Sequence, residues 1–334
     1  MKPVAAVAVT SILILMGLSA YPASAQQGAP NGEWPTYAGD LGGTKYSALD
    51  QIDAANFNDL EIAWRWASAD GALDLDALRE IHSDLSILNM RVTPLMVGGT
   101  VYVVTPLRLS AAIDAGTGEV RWVHDPDVIR STKHSINGPG YSSRGLAYWA
   151  DENGNDERLF YGTPDGYLLA IDAKTGLAVR SFGQNGRVDL GSEIPRNGRG
   201  TTDNQGHPVI SVNSPPIVAH DVVVTPTSIS DQPITKEQPP GWVKGIDART
   251  GDTNWIFRTL PQADDGGVET WQNESWRYSG HTNVWSYMAV DEELGYVYPP
   301  TGTPTNDWYG GMRPGNNLFA ESIVALDIET GQRV

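Results

Sequence analysis

The sequence contains no cysteine among its 334 residues. Disulfides, thiolate metal sites and CxxCH haem attachment are therefore excluded within this chain. Basic residues are also scarce, because 23 lysines and arginines stand against 40 acidic residues and leave a net charge of −17. Such an acidic surface repels phosphate backbones, so we expect no nucleic acid among the partners.

Long apolar runs are absent after the first 25 residues. At the start, Lys2 precedes the apolar run 4–18, and Ala23-Ser24-Ala25 follows it. This order predicts a signal peptide over 1–25, cut after Ala25. The run is short for a membrane span, although an uncleaved anchor is the alternative. We therefore expect one mature domain, 26–334, which is periplasmic or secreted, with membrane association as the other outcome.

Glycine, proline and tryptophan are abundant, and one turn sequence occurs four times. Its common form is (A/G)-(I/L)-D-x-x-T-G. The aspartate can accept backbone N–H bonds in a turn, and the glycine supplies a positive φ. Trp122 and Trp255 each stand eight residues after the aspartate of their copy. The four copies lie at 112–118, 170–176, 245–251 and 325–331.

Each copy follows residues typical of paired strands, at 93–106, 157–172, 214–228 and 295–304. Repeated short strands favour a β-propeller over a β-sandwich. Successive repeat aspartates are 58, 75 and 80 residues apart (114, 172, 247 and 327). A four-stranded blade needs about 40–50 residues, so the excess predicts long loops, which commonly carry function. Only 72–87 predicts one or two helical turns.

Several further motifs resemble those of the pyrroloquinoline-quinone (PQQ) dependent quinoprotein dehydrogenases. They are the opening segment 34–66, RGLAYW at 144–149, TNVW at 282–285 and TGTPTNDWYGG at 301–311. The last is most similar to the glucose-dehydrogenase branch of that family. The resemblance implies an all-β, eight-bladed propeller, of which this chain supplies roughly the first half.

The resemblance also implies a cofactor site. Arg144 matches the arginine that binds the PQQ carboxylates, and Trp285 matches the tryptophan beneath the PQQ ring. Asn213, Ser228 and Thr282 match polar positions around the cofactor. From the residues alone, Arg144 could equally form a surface salt bridge, and Trp285 could be one more tryptophan packed between blades.

A metal site is implied beside the cofactor. Asp231 matches the acidic ligand of the family, and Thr303 stands where the methanol and ethanol enzymes have asparagine and the glucose branch has threonine. Oxygen donors suit Ca²⁺, with Mg²⁺ as the alternative. Taken alone, Asp231 could be a turn residue before Pro233. Ser142 and Ser143 occupy the place of an adjacent-cysteine disulfide that the glucose branch also lacks.

The implied reaction oxidises a sugar or alcohol hydroxyl by hydride transfer to metal-polarised PQQ, and the electrons pass to a membrane quinone or a cytochrome c. The catalytic aspartate of the family is expected beyond Val334, so we expect little or no turnover from these 334 residues alone. One rival is a non-catalytic periplasmic scaffold built from the same repeat. Another is a polysaccharide-binding or lyase propeller, which the scattered histidines disfavour.

Overall fold

The computed structural model describes residues 28–82, 85, 90–131, 143–195, 210–229 and 236–334. In this part of the chain, short antiparallel strands form four sheets, and helices are few and short. The predicted signal peptide over 1–25 and the predicted metal ligand Asp231 lie outside the described residues.

Each sheet is a meander of consecutive strands, which we call blades 1 to 4. Blades 1, 2 and 3 have four strands, and blade 4 has three strands within the described residues. The strands are β1 Leu95–Val97, β2 Thr100–Val104, β3 Ser110–Asp114 and β4 Val120–His124; β5 Ala147–Ala150, β6 Glu157–Gly162, β7 Tyr167–Asp172 and β8 Arg187–Asp189; β9 Ile217–Ala219, β10 Val222–Pro226, β11 Val243–Asp247 and β12 Thr253–Phe257; and β13 Ala289–Asp291, β14 Tyr296–Tyr298 and β15 Leu326–Asp327.

Four successive meanders confirm the predicted fold class, an all-β propeller of which the chain forms part. The hydrophobic cores lie between neighbouring blades rather than inside one sheet. One core joins blades 1 and 2 through residues such as Tyr102 and Leu159, and another joins blades 3 and 4 through residues such as Val224 and Leu326. A third core joins blades 2 and 3, so these two blades bury both of their faces against neighbouring blades, as stacked propeller blades do.

The alternating direction of the strands separates the loops into two sets. The first strand of each blade starts at the edge where the second strand ends. The loop that leads into a blade and the loop between its second and third strands therefore lie at the same edge. We call this edge the site face. It carries 105–109, 143–146, 163–166, 210–216, 227–242, 280–288 and 299–325, as far as these loops are described. The opposite edge, which carries the four repeated turns, is the turn face.

The repeated turns form as their sequence predicts. Asp114 Oδ1 accepts from the backbone nitrogens of Gly116 and Thr117 at 3.0 and 2.9 Å, and also from the Thr117 hydroxyl at 3.1 Å. Asp172, Asp247 and Asp327 each accept the equivalent threonine N–H at 2.7–2.8 Å. These bonds satisfy backbone donors that the tight turn would otherwise leave unpaired.

The glycine of the repeat has a second task, which is to make room for the neighbouring blade. A Cβ on Gly118 would lie 2.6 Å from the Trp64 ring, and a Cβ on Gly176 would lie 2.6 Å from the Trp122 ring. The Trp122 indole donates to the carbonyl oxygen of Ala173 at 3.0 Å. Blades are therefore joined by a tryptophan that stacks on a glycine and bonds to the turn around it.

The junction between blades 2 and 3 departs from this pattern. Arg180 stands eight residues after Asp172, where the repeat would have tryptophan. The chain itself closes the gap, because Gly183 N donates to Thr250 O at 2.8 Å and Phe182 is fully buried. A Cβ on Gly251 would lie 2.5 Å from Gly183 N.

Two short α-helices lie in insertions, α1 at Leu75–Ile81 and α2 at Val128–Ser131. Asp74 caps α1 by accepting from Ala77 N at 3.0 Å, which is a standard N-cap contact. α1 confirms the helical turns predicted within 72–87. Among the described residues, none of the helices has the length and apolarity needed to span a membrane.

Candidate functional site

All the described candidate residues lie on loops of the site face. Arg144 precedes blade 2, and Asn213 precedes blade 3. Ser228 follows β10, Thr282 and Trp285 precede β13, and Thr303 follows β14. Loops with unrelated sequences are therefore brought to one surface by the regular alternation of the strands.

Arg144 and Trp285 form the centre of this surface. The Cζ atom of Arg144 lies 5.5 Å from the centroid of the Trp285 ring, a cation–π distance. Trp285 is 58% exposed, so the residue remains open to a ligand. The Arg144 backbone is fixed on both sides: its nitrogen donates to Asn213 O at 3.1 Å, and its oxygen accepts from Thr93 N at 3.0 Å.

Asn213 links Arg144 to the interior. The residue is buried, and its Oδ1 accepts from Nη2 of Arg108 at 2.8 Å. Its Nδ2 donates to the Ser211 hydroxyl at 3.4 Å, and Ser211 exchanges two backbone hydrogen bonds with Ser228. The loops before blade 3 and after β10 are thus connected below the Arg144 backbone.

Among the buried hydroxyls that have no hydrogen-bond partner in the described residues, two belong to predicted cofactor-site residues on this face. They are Oγ of Ser228 and Oγ1 of Thr282. A buried hydroxyl without a partner costs free energy, and such groups in native structures call for an explanation such as a ligand or water. Thr282 is also fully buried with φ of 55°, a left-handed conformation that is strained for a β-branched residue. These two predicted positions therefore carry hydroxyls without a partner in the described part of the chain.

Thr303 lies next to Thr282. The backbone nitrogen of Thr282 donates to Thr303 O at 3.3 Å. The Thr303 hydroxyl donates to the carboxylate of Glu321, a residue that the sequence motifs did not indicate. Gly302 N donates to Asn283 O at 2.9 Å, and a Cβ on Gly302 would come within 3.3 Å of the Trp285 ring. This glycine allows the 302–303 backbone to lie beside the indole.

The predicted metal site stays a prediction, because its acidic ligand lies outside the described residues. In that part of the chain, no group of three or more His, Asp and Glu side chains is placed to hold a metal ion. Thr303 and Glu321 bring a hydroxyl and a carboxylate together, which are hard oxygen donors of the type that Ca²⁺ and Mg²⁺ prefer. Asp231, the predicted acidic ligand, follows Ser228 by three residues and stays a prediction.

Sequence reasoning missed Arg108, the largest fully buried side chain. A single arginine in a loop normally predicts a solvated side chain, so the sequence gives no signal for it. Burial lowers the pKa of Arg108 to about 10, and it raises the pKa of the adjoining Tyr161 phenol. Burial also raises the pKa of Asp70, which accepts from the Thr105 hydroxyl at 2.5 Å.

His281 was missed as well. It is buried, and its Nδ1 lies 3.3 Å from Oδ1 of Asp307 in the loop that follows Thr303. Its Nε2 has no partner within the described ranges. Its position immediately before the TNVW motif was the available signal, but the spacing of the six histidines indicated no site.

The arrangement fits a flat, polyanionic molecule. An open indole face can stack on a planar ring, and a guanidinium is suited to bidentate carboxylate binding. The unused hydroxyls of Ser228 and Thr282 can serve further polar groups of the same molecule. PQQ, a fused planar quinone with three carboxylates, has this chemistry, so the residues present fit the implied cofactor.

Comparison with known proteins gives a family match over nearly the whole described chain. The β-propeller domain of PQQ-type glucose, ethanol and alcohol dehydrogenases matches residues 34–334. Quinoprotein glucose dehydrogenase A of Acinetobacter calcoaceticus is 31% identical over 93% of this chain and 38% of its own length. The dehydrogenase subunit of a quinone alcohol dehydrogenase from Gluconacetobacter polyoxogenes is 32% identical over 91% of this chain and 38% of its own length.

A solved structure gives the same result. Quinohemoprotein alcohol dehydrogenase from Comamonas testosteroni superimposes with a TM-score of 0.71 at 28% identity, over 93% of this chain and 41% of that chain. The chain therefore spans about two fifths of the length of the relatives it matches.

Proposed function

This chain belongs to the β-propeller family of PQQ-dependent glucose, ethanol and alcohol dehydrogenases, and we propose that it forms the cofactor-binding part of a periplasmic enzyme. The enzyme oxidises a sugar or alcohol hydroxyl to a carbonyl. Because the chain spans about 38% of its curated relatives, the activity is proposed for the whole protein.

One observation carries the proposal: a guanidinium stands over an open indole on the same face as two unused buried hydroxyls. Arg144 and Trp285 supply the first pair, and Ser228 and Thr282 supply the second. On the turn face, by contrast, the aspartate and threonine side chains of the repeats are used in their own turns. A scaffold propeller has no use for unpaired hydroxyls at the rim of its core.

Each residue has a proposed task. Arg144 holds cofactor carboxylates, Trp285 supports the ring from below, and Ser228 and Thr282 donate to cofactor oxygens. Asn213 orients the Arg144 backbone, while Thr303 and Asp231 bind a divalent cation, Ca²⁺ or Mg²⁺. PQQ, when bound, supplies a two-electron acceptor that the cation polarises. The proton acceptor is the aspartate predicted beyond Val334.

The substrate and acceptor are proposed from weaker signals. Thr303 and the absence of cysteine favour a glucose-type enzyme. Overall sequence identity does not separate the two classes, because it is 31% to the glucose dehydrogenase and 32% to the alcohol dehydrogenase. The relatives include proteins named as quinone-linked dehydrogenases. A membrane quinone, with cytochrome c as the alternative, is therefore the proposed acceptor.

The test is PQQ binding by the full-length protein, measured as cofactor absorbance retained after dialysis and as quenching of tryptophan fluorescence. Arg144→Ala and Trp285→Ala should each weaken binding by about tenfold or more, because each removes a large share of the contact. Arg249→Ala is a matched control. Its guanidinium lies 4.8 Å from the centroid of the Trp149 ring on the turn face, so its loss should leave PQQ binding unchanged.

The outcomes separate the proposed enzyme from the scaffold. Wild-type protein that releases all PQQ on dialysis, with no change in Arg144→Ala, would favour the scaffold alternative. PQQ binding that is equally tight without Arg144 would instead remove Arg144 from the cofactor site. Retained PQQ without turnover of any sugar or alcohol in the presence of a dye acceptor would keep the cofactor site and reject the proposed substrate class.

A further inference from the structure

Arg108 makes hydrogen bonds to two separate parts of the site face. It lies in the loop 105–109 of blade 1, and its Nη2 donates to Asn213 Oδ1 at 2.8 Å and to Val212 O at 3.3 Å, just before blade 3. Its Nη1 donates to Pro106 O at 3.3 Å. We infer that Arg108 is a positioning residue for the cofactor site, and that it acts by holding Asn213 and, through it, Arg144.

The route to Arg144 is short and polar. The Asn213 side chain accepts from Arg108, and the Asn213 main-chain oxygen accepts from Arg144 N at 3.1 Å. Fixing the amide at Oδ1 limits rotation of the side chain and of the peptide that carries it. Since Arg144 has its backbone bound to this peptide, the direction of its guanidinium depends on the Asn213 conformation.

The geometry of the donors requires arginine. A guanidinium presents several N–H groups in one plane, whereas a lysine ammonium is a single point with three donors. From this buried loop, the planar group reaches carbonyl oxygens in its own loop and at the start of blade 3 at once. A lysine at position 108 would lose at least one of these contacts.

The location of the charge also favours a functional role. A fully buried guanidinium is costly to desolvate, and buried charges often add little net stability compared with apolar residues of similar volume. Arg108 also adopts a left-handed backbone with φ of 69°, an added strain for a residue other than glycine. A fold that needed only packing at this point would be served by a leucine or methionine.

Arg158 provides the matched comparison. It is buried too, and its Nη1 donates to the carbonyl oxygens of Ala248 and Arg249 in blade 3 at 2.8 and 2.7 Å. These contacts lie at the turn face. Both arginines therefore join a blade to blade 3, but only Arg108 does so beside Asn213. A purely structural role predicts the same behaviour for both.

The experiment rests on the proposed function, because its main readout is the Kd for PQQ in the full-length protein. Arg108→Lys should raise this Kd about tenfold, since a charge-assisted hydrogen bond to Asn213 is lost. Arg158→Lys should leave the Kd unchanged. Urea unfolding of both variants reports their stability separately, and Asn213→Ala removes the same contact from the other side if Arg108→Lys does not fold.

A double-mutant cycle then tests the route. If Arg108 acts through Asn213, adding Arg108→Lys to Asn213→Ala should change the Kd less than twofold further. Independent, multiplying effects of the two substitutions would overturn the inference, as would wild-type affinity in both single variants. Wild-type protein that does not bind PQQ at all would reject the proposed function, and this inference with it. Wild-type protein that binds PQQ, with variants that depart from the expected pattern, would reject this inference alone.

Discussion

The two faces of the molecule use the same kinds of residue in different ways. On the turn face, each aspartate of the repeat accepts backbone N–H bonds, and the threonines of blades 1, 2 and 4 donate to the aspartate of their own turn. On the site face, the Ser228 and Thr282 hydroxyls are buried without partners in the described part of the chain. The repeated turns use their polar side chains internally, whereas the site face has buried hydroxyls without a partner among the described residues.

The difference shows which contacts stabilise the fold and which are available for a ligand. The hydrogen bonds within the repeated turns are local, so each turn contributes to the formation of its own blade. Site-face contacts join loops far apart in sequence, as the Arg108–Asn213 bond does across 105 residues. Unsatisfied groups cost stability in the protein alone and become useful only when a ligand binds them.

The largest effect should come from filling the space that a turn-face glycine leaves. In Gly176→Ala, the new Cβ would lie 2.6 Å from the Trp122 ring, and the φ of 71° would be strained as well. We expect a loss of about 2–4 kcal/mol in the free energy of unfolding, from overpacking and backbone strain together. Urea denaturation measures this loss.

Gly154→Ala is the control for that substitution. Gly154 has a φ of 66°, but a Cβ there would meet nothing within 4 Å. Gly154→Ala should therefore lose only about 1 kcal/mol of unfolding free energy, which comes from backbone strain. Equal losses in the two variants would mean that the tryptophan contact between blades adds nothing to the strain.

The turn face was predictable from sequence because its information is local. The D-x-x-T-G copies, the paired strands and the tryptophans eight residues later all lie within one hairpin. The same logic fails at Arg180, where the junction is closed by Phe182 and by a backbone bond from Gly183 to Thr250. That contact depends on tertiary packing, which no single repeat encodes.

The site face was predictable only in part. Arg144, Asn213, Thr282 and Trp285 were predicted from the family resemblance, and they lie on one surface in the structure. Arg108, His281 and Glu321 were missed because their roles come from partners distant in sequence. A pattern of residue types cannot indicate which loops the alternation of strands will bring together.

A medium effect should distinguish threonines on the two faces. On the turn face, the Thr330 hydroxyl donates to Asp327 at 2.7 Å and accepts from Gln332 N at 3.3 Å. Thr330→Val should therefore cost about 1 kcal/mol of unfolding free energy. Thr282→Val removes a buried hydroxyl without a partner in the described structure, so it should be neutral or stabilising by up to about 1 kcal/mol.

Thermal or urea unfolding without cofactor measures both threonine variants. The same Thr282→Val protein should bind PQQ more weakly than the wild type, whereas Thr330→Val should not. A destabilised Thr282→Val protein with unchanged PQQ affinity would show that this hydroxyl serves the fold and would remove it from the candidate site.

The smallest effect is a difference in the sign of pH dependence. Hydrogen bonds from Arg121 and from Thr117 lower the pKa of Asp114 on the turn face to about 2. Its ionised form is favoured by folding, so its stabilisation is present above the unfolded pKa of 3.8 and is lost as pH falls toward 2. Burial raises the pKa of Asp70, which accepts hydrogen bonds from Thr105 and Leu107 of the site-face loop 105–109. Its ionisation therefore opposes folding, and stability is lost as pH rises above 3.8.

Urea midpoints of Asp114→Asn and Asp70→Asn, each compared with the wild type between about pH 3 and pH 7, separate the two cases. The disadvantage of Asp114→Asn should be constant near neutrality and should shrink in acid, because the wild type then loses the charge that the variant lacks. Asp70→Asn should instead gain on the wild type as pH rises from 3.8. Parallel curves for all three proteins would mean that neither carboxyl is held differently in the folded and unfolded states. Opposite slopes would show that aspartates on the two faces were placed under different constraints: one to close a turn, the other to lie beside a buried guanidinium beneath the candidate site.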